Sequence, residues 1–248
     1  MRSAAQPAFV LHQWDWSETS LILDLFTREQ GRLAAVAKGA KRPYSQLRAV
    51  LLPFQRIAVT LGRPKADESS DILTLRAAEY AAGGAVLPPP RLFAGFYLNE
   101  LLMKLLARQD PHALLFDAYA DTLHALAGGD EEAPLRAFEL LLLRETGVLP
   151  ELGRDTVTQQ ALEPGRSYAL RPESGLVASA DAALSGRDWQ ALQVALDVDD
   201  PAALRATDPA TLSALKPQLR TLLHYHLGSP QLRTRAAMLD VRRLLDKD

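Results

Sequence analysis

Cysteine is absent from the chain, which removes disulfides, thiolate zinc sites and thiol nucleophiles together and leaves the redox compartment unread. No run of about 18 apolar residues occurs, so no membrane-spanning helix is expected. Met1 to Phe9 lacks the apolar core of a signal peptide, and a cytoplasmic protein is the expectation. Phosphate-loop and nucleophile motifs are missing too. Lys38-Gly39 has no Gly-Lys-Ser/Thr order around it, and neither GxSxG nor GxGxxG is present. Of the five histidines, His224 and His226 lie two apart on an expected helix and so point to different faces. His12, His112 and His124 have no acid pattern beside them. The many acids of the C-terminal part read as solvated helix faces, with no pair that demands general acid/base chemistry. The chain reads as a binder that needs no catalytic residue, metal or cofactor.

What is present is a lopsided charge distribution. Between Arg28 and Lys65 stand nine basic residues (Arg28, Arg32, Lys38, Lys41, Arg42, Arg48, Arg56, Arg63 and Lys65) against Glu29 alone, a local +8 in a chain of formal charge −2. Residues 66 to 203 carry 10 basic and 22 acidic side chains. Such asymmetry points to one segment that meets a polyanion, nucleic acid first. The plain alternative is a solubilising surface, although interspersed charge would serve that purpose better.

The basic window lies in strand-like sequence. Pro7 to Trp14, Ser20 to Thr27, Arg32 to Lys38, Phe54 to Leu61 and Asp71 to Ala77 alternate or run apolar between turn residues, and five short strands with one longer connection after the third fit a closed OB-fold barrel. Pro88-Pro89-Pro90 ends this region. The expected division is therefore an OB-fold nucleic-acid-binding domain over 1–82 and an α-helical domain over 83–248. In the latter, Leu92 to Arg108, a segment opened by Asp110-Pro111, and one from Asp130 to Gly147 are read as three helices of an antiparallel bundle. Asp208-Pro209 to Leu227 and Ser229-Pro230 to Leu245 are two more. Within 150–180, Tyr168-Ala169-Leu170 and Gly175-Leu176-Val177 suggest a small inserted hairpin. The fold class is α+β multidomain.

For single-stranded nucleic acid, cations track phosphates and aromatic rings stack on bases. The candidates are Arg32, Lys38, Lys41, Arg42, Tyr44, Arg48, Arg56, Arg63 and Lys65. Tyr44 follows Lys41-Arg42-Pro43 and is the preferred stacker, Phe26 and Phe54 read as core, and Trp14 and Trp16 flank turns and fit either role. Charge alone permits an OB-containing RNA-binding or translation-associated protein equally well.

Ala8-Phe9-Val10-Leu11, Ser17-Glu18-Thr19-Ser20, Phe26-Thr27, Gly31-Arg32, Ala37-Lys38-Gly39-Ala40, Leu52-Pro53-Phe54, Tyr97-Leu98-Asn99-Glu100-Leu101-Leu102, Leu135-Arg136-Ala137-Phe138-Glu139 and His226-Leu227-Gly228 stand in the order and spacing of RecO, the bacterial recombination mediator, which the chain resembles over nearly its whole length. The resemblance implies an OB domain and a helical domain, binding and annealing of single-stranded DNA, and help in loading the RecA recombinase onto DNA coated with single-strand-binding protein. Implied partners are RecR and the acidic C-terminal tail of single-strand-binding protein; duplex DNA is left open. Leu135, Arg136 and Phe138 match the motif expected to receive that tail, with an intrahelical ion pair of Arg136 to Glu132 or Glu139 as the competing role. Many relatives carry a four-cysteine zinc module where this chain has Leu152 to Val177, so a metal-free hairpin is expected there.

Overall fold

The computed structural model describes residues 4–62, 72–228 and 232–245. Its contacts divide the chain into two units, Met1–Gly128 and Gly129–Asp248. In the first, β1 (Gln6–Asp15), β2 (Leu21–Thr27), β3 (Gly31–Ala37), β4 (Ile57–Gly62) and β5 (Leu73–Tyr80) close into a barrel ordered β1-β2-β3-β5-β4. All neighbours are antiparallel except β3 beside β5, as the OB topology expected from the sequence requires. Ala8, Val10, Leu23, Leu25, Ala35, Ile57, Val59 and Leu75 fill the interior, and Ala40, Val50 and Leu51 join them from the β3–β4 connection, which contains the short helix α1 (Leu47–Val50).

A bulge in β1 between Val10 and His12 resets its alternation. Ahead of it Phe9 points outward opposite Phe26; beyond it Gln13 and Asp15 pair with Leu23 and Leu21 on the inward rows, and Trp14 pairs with Ile22 on the outer row. The outward aromatics are covered by helix α2 (Leu92–Leu105) and helix α3 (Ala113–Ala127). Phe9 and Phe26 lie 5.2 and 5.4 Å from the Phe116 ring, and Phe9 meets Tyr119 edge-on at 4.9 Å. The Tyr119 hydroxyl donates to Asn99 Oδ1 (2.5 Å), and Asn99 Nδ2 donates to the Leu11 carbonyl at the bulge (3.0 Å). The side chains of Tyr119 and Asn99 are thereby partnered within the apolar seam, and burial pushes the Tyr119 hydroxyl pKa up.

Among the boundaries that differ from the sequence reading, two have a visible cause. The fourth strand begins at Ile57 because Phe54 adopts a positive φ of 67° and turns its ring onto Phe96 at 5.0 Å, over the bare Cα of Gly95. The second long helix begins at Ala113, not at Asp110-Pro111. Gln109 donates its N–H to the Arg32 carbonyl (2.9 Å), and the Asp110 backbone lies against Gly31 so closely that a Cβ there would collide with it. This segment is pinned to the barrel before the helix can start.

The second unit holds α4 (Glu132–Glu145), a small sheet of β6 (Ser167–Arg171), β7 (Gly175–Ala178) and β8 (Leu184–Ser185), then α5 (Gly186–Asp197), α6 (Pro201–Arg205), α7 (Pro209–Leu227) and α8 (Arg233–Leu245). α4 packs on α6 and α7, and α7 on β6. The three helices read as one bundle are thus shared out: α2 and α3 belong to the barrel unit, α4 to the second.

The expected hairpin is formed by β6 and β7. Trp189 of α5 is fully buried behind it and donates Nε1–H to the Tyr168 carbonyl (3.0 Å). The preceding loop is gathered by Asp155, whose carboxylate accepts from the backbone N–H groups of Val157 (3.0 Å), Thr158 (2.9 Å) and Ala178 (3.2 Å). Beside it Thr156 exchanges hydrogen bonds with Leu176 through its backbone N–H (2.7 Å) and its hydroxyl (2.9 Å). The Thr158 N–H above all, helped by those of Ala178 and Val157, holds the Asp155 carboxyl below the usual carboxylate range against the opposing effect of burial.

Candidate nucleic-acid interface

The basic window is sorted by its partners. Arg32 lies on the outer face of β3 and forks onto buried Asp24 through two hydrogen bonds of 2.8 Å, while its Nη1 donates to the carbonyls of Met103 and Leu106 at the end of α2. It ties the barrel to that helix. Arg28 chelates Asp117 of α3 at 2.9–3.2 Å. Arg56 stands 6.0 Å from the Phe116 ring, with a buried Nε. Lys41 donates to the Ser17 carbonyl (3.1 Å) and pairs with Asp15 (3.1 Å), and its backbone N–H reaches the Thr19 carbonyl (3.0 Å). It staples the β3–α1 loop to the β1–β2 turn. Arg63 and Lys65 lie outside the described residues.

Three cations are left. Among the described residues, Lys38, Arg42 and Arg48 are exposed and take part in no side-chain hydrogen bond or ion pair. They follow one another through the β3–α1 loop and α1, at the end of the barrel where Tyr44 is 99% exposed, Trp16 61% and Trp14 43%. The sequence candidates from Lys38 to Arg48 are therefore brought together, whereas Arg32 and Arg56 face the helical cover. Between loop and strands runs a groove of about 370 Å³ lined by Gln13, Leu21, Ala40, Lys41, Arg48, Leu51 and Leu52.

The outer row Trp14–Ile22–Val36–Thr74–Gly62 continues around the barrel from this end, with exposed Arg76 laid over Gly62. Sequence reasoning left Trp14 undecided because its face depends on the bulge. It missed Arg76 because that residue lies in the acidic stretch, and missed Gln13 and Leu52 because neither carries a charge or an aromatic ring.

In α4, Leu135, Arg136 and Phe138 are all buried. The Arg136 guanidinium bonds Glu139 one turn on at 2.5 Å, which is the intrahelical pair, and its Nε has no hydrogen-bond partner. Among the described residues no group of three or more His, Asp or Glu is placed to hold a metal ion, and no helix is long and apolar enough to cross a membrane.

Comparison with known proteins matches residues 1–81 to the family model "Recombination protein O N terminal" and residues 89–236 to "Recombination protein O C terminal". Proteins named DNA repair protein RecO are similar from end to end: that of Verminephrobacter eiseniae is 52% identical over 252 residues, with 98% of each chain covered. Those of Acidovorax ebreus and Variovorax paradoxus are 50% and 48% identical at the same coverage.

Proposed function

The chain belongs to the RecO family of DNA repair proteins, and on that premise we propose that it binds and anneals single-stranded DNA at the loop end of its barrel. There it acts as a cytoplasmic mediator that helps load RecA onto DNA coated with single-strand-binding protein. One observation supports the DNA assignment: Lys38, Arg42 and Arg48, exposed cations with no counter-ion among the described residues, share one barrel end with the exposed rings of Trp14, Trp16 and Tyr44. Charge for the backbone and flat apolar faces for unstacked bases are what a single strand rewards and a duplex does not.

Segment 1–82 carries this binding. Segment 83–248 serves RecR and the tail of single-strand-binding protein, a role for which the resemblance is the support. For Arg136 to serve that tail it would have to leave Glu139, so the geometry favours the ion pair as its resting state.

The test is a salt titration of DNA affinity. With Lys38, Arg42 and Arg48 all changed to Ala, the slope of log affinity against log salt should become shallower by about 2, from roughly 0.7 per lost phosphate contact on a single strand. An unchanged slope in the folded variant would overturn the assignment.

A further inference from the structure

The groove beside α1 has a shape and lining that phosphate tracking does not use. Its floor is barrel core: Ala40 and Leu51 belong to the same apolar cluster as Leu23 and Ile57. One wall is Leu21 and the other Leu52, which is about half exposed. Gln13 stands at the mouth on an inward row of β1, where its amide offers both donors and an acceptor. Lys41 is occupied by Asp15 and Ser17, so Arg48 is the uncommitted cation on the rim. A cavity of about 370 Å³ at a barrel mouth is of the size and place that small ligands use.

We propose that this groove takes one nucleotide of the bound strand: its base is swung out of the stack onto the Leu21, Leu51 and Leu52 surface, its edge is met by Gln13, and its phosphate by Arg48. The inference rests on the single-strand reading above. The ligand must combine a flat apolar body, hydrogen-bonding edges and a negative charge, and exposed Lys38 and Arg42 bracket the lining residues Ala40 and Lys41 along the chain. The outer face of β1–β3 near Phe9, Phe26 and Arg32 is closed by α2 and α3, so a strand cannot reach the barrel across that face.

Fluorescence anisotropy of the full chain with a labelled oligothymidylate, and with a strand of the same length made of abasic sites, reads the base directly. The base-bearing strand should bind about fivefold or more tightly. Gln13→Trp fills the groove from one side and Leu52→Trp from the other, so misfolding of one variant leaves the second to decide. Each should weaken thymidylate binding by the share of the one pocketed base, about fivefold or more, while leaving abasic binding and its salt slope as in the unaltered protein. Equal binding of the two strands by the unaltered protein would overturn the base pocket and leave the phosphate site standing. Binding of neither strand would overturn the single-strand reading itself. If Trp14→Ala removes the preference for bases and the two groove-filling variants do not, the bases stack on the outer row and the pocket is wrong. Displacement of thymidylate by an acidic peptide ending in Phe, with the same sensitivity to both fillings, would make the groove a peptide site and also overturn the proposal.

Discussion

Arg32 and Lys38 sit in the same basic stretch and end with opposite employment. Arg32 compensates a carboxylate with no solvent exposure and closes the end of α2; Lys38 faces water with no counter-ion among the described residues. Arg32→Ala leaves Asp24 charged and buried, a change that costs about 3–5 kcal/mol, and urea denaturation should show it. A phosphate role for Arg32 would show the reverse pattern: stability kept and a DNA salt slope shallower by roughly 0.7. Counting charge along the sequence located the basic barrel segment correctly, but it weighs every cation alike. What separates them is whether the fold returns an acid to each, and Asp24, Asp117 and Asp15 come from three different elements.

At the scale of elements, the β6–β7 hairpin holds its loop by a carboxylate collecting backbone N–H groups. Asn at position 155 would keep one acceptor oxygen and set an amide donor against the remaining N–H groups, so Asp155→Asn should lower Tm by several degrees at neutral pH. The pH dependence has a definite sign. Because the folded carboxyl titrates below the ordinary value, near pH 4, its contribution is complete above that value and fades as pH falls through the lower folded one. The gap between the two proteins should therefore narrow in melts taken progressively below pH 4; a constant gap would mean the charge is irrelevant.

The hairpin strands were legible from Tyr168 to Leu170 and Gly175 to Val177. Helices α5 and α6 were not. Gly186 looks like a breaker, and the capping box that starts α5 uses Ser185 with Asp188 in place of the longer Glu or Gln. Asp200-Pro201, the signal for α6, opens a helix of five residues, too short for a periodic pattern.

On the scale of the whole molecule, the triproline at 88–90 marks where strand sequence gives way to helix sequence, yet the barrel draws the next two helices into its own unit. The cause is its outward aromatic surface, whose direction follows from a one-residue bulge that no composition window registers. A fragment of residues 1–82 would expose Phe9, Leu11 and Phe26 together, a patch that favours aggregation over a stable monomer. A fragment of residues 1–128 keeps them covered. Thermal melts by circular dichroism should be cooperative for the longer fragment and broad or irreversible for the shorter; a cooperative monomeric melt of residues 1–82 would contradict this view of the seam.

The burial of Trp189 behind the hairpin, set against the exposure of Trp14 and Trp16, also divides the light the protein emits. The chain has three tryptophans, so its intrinsic fluorescence is a blue component from the second unit added to a red, iodide-quenchable component from the barrel end. A strand settling on the barrel would change the red part alone, and loosening of the hairpin would shift the blue part alone, giving each unit its own signal without any label.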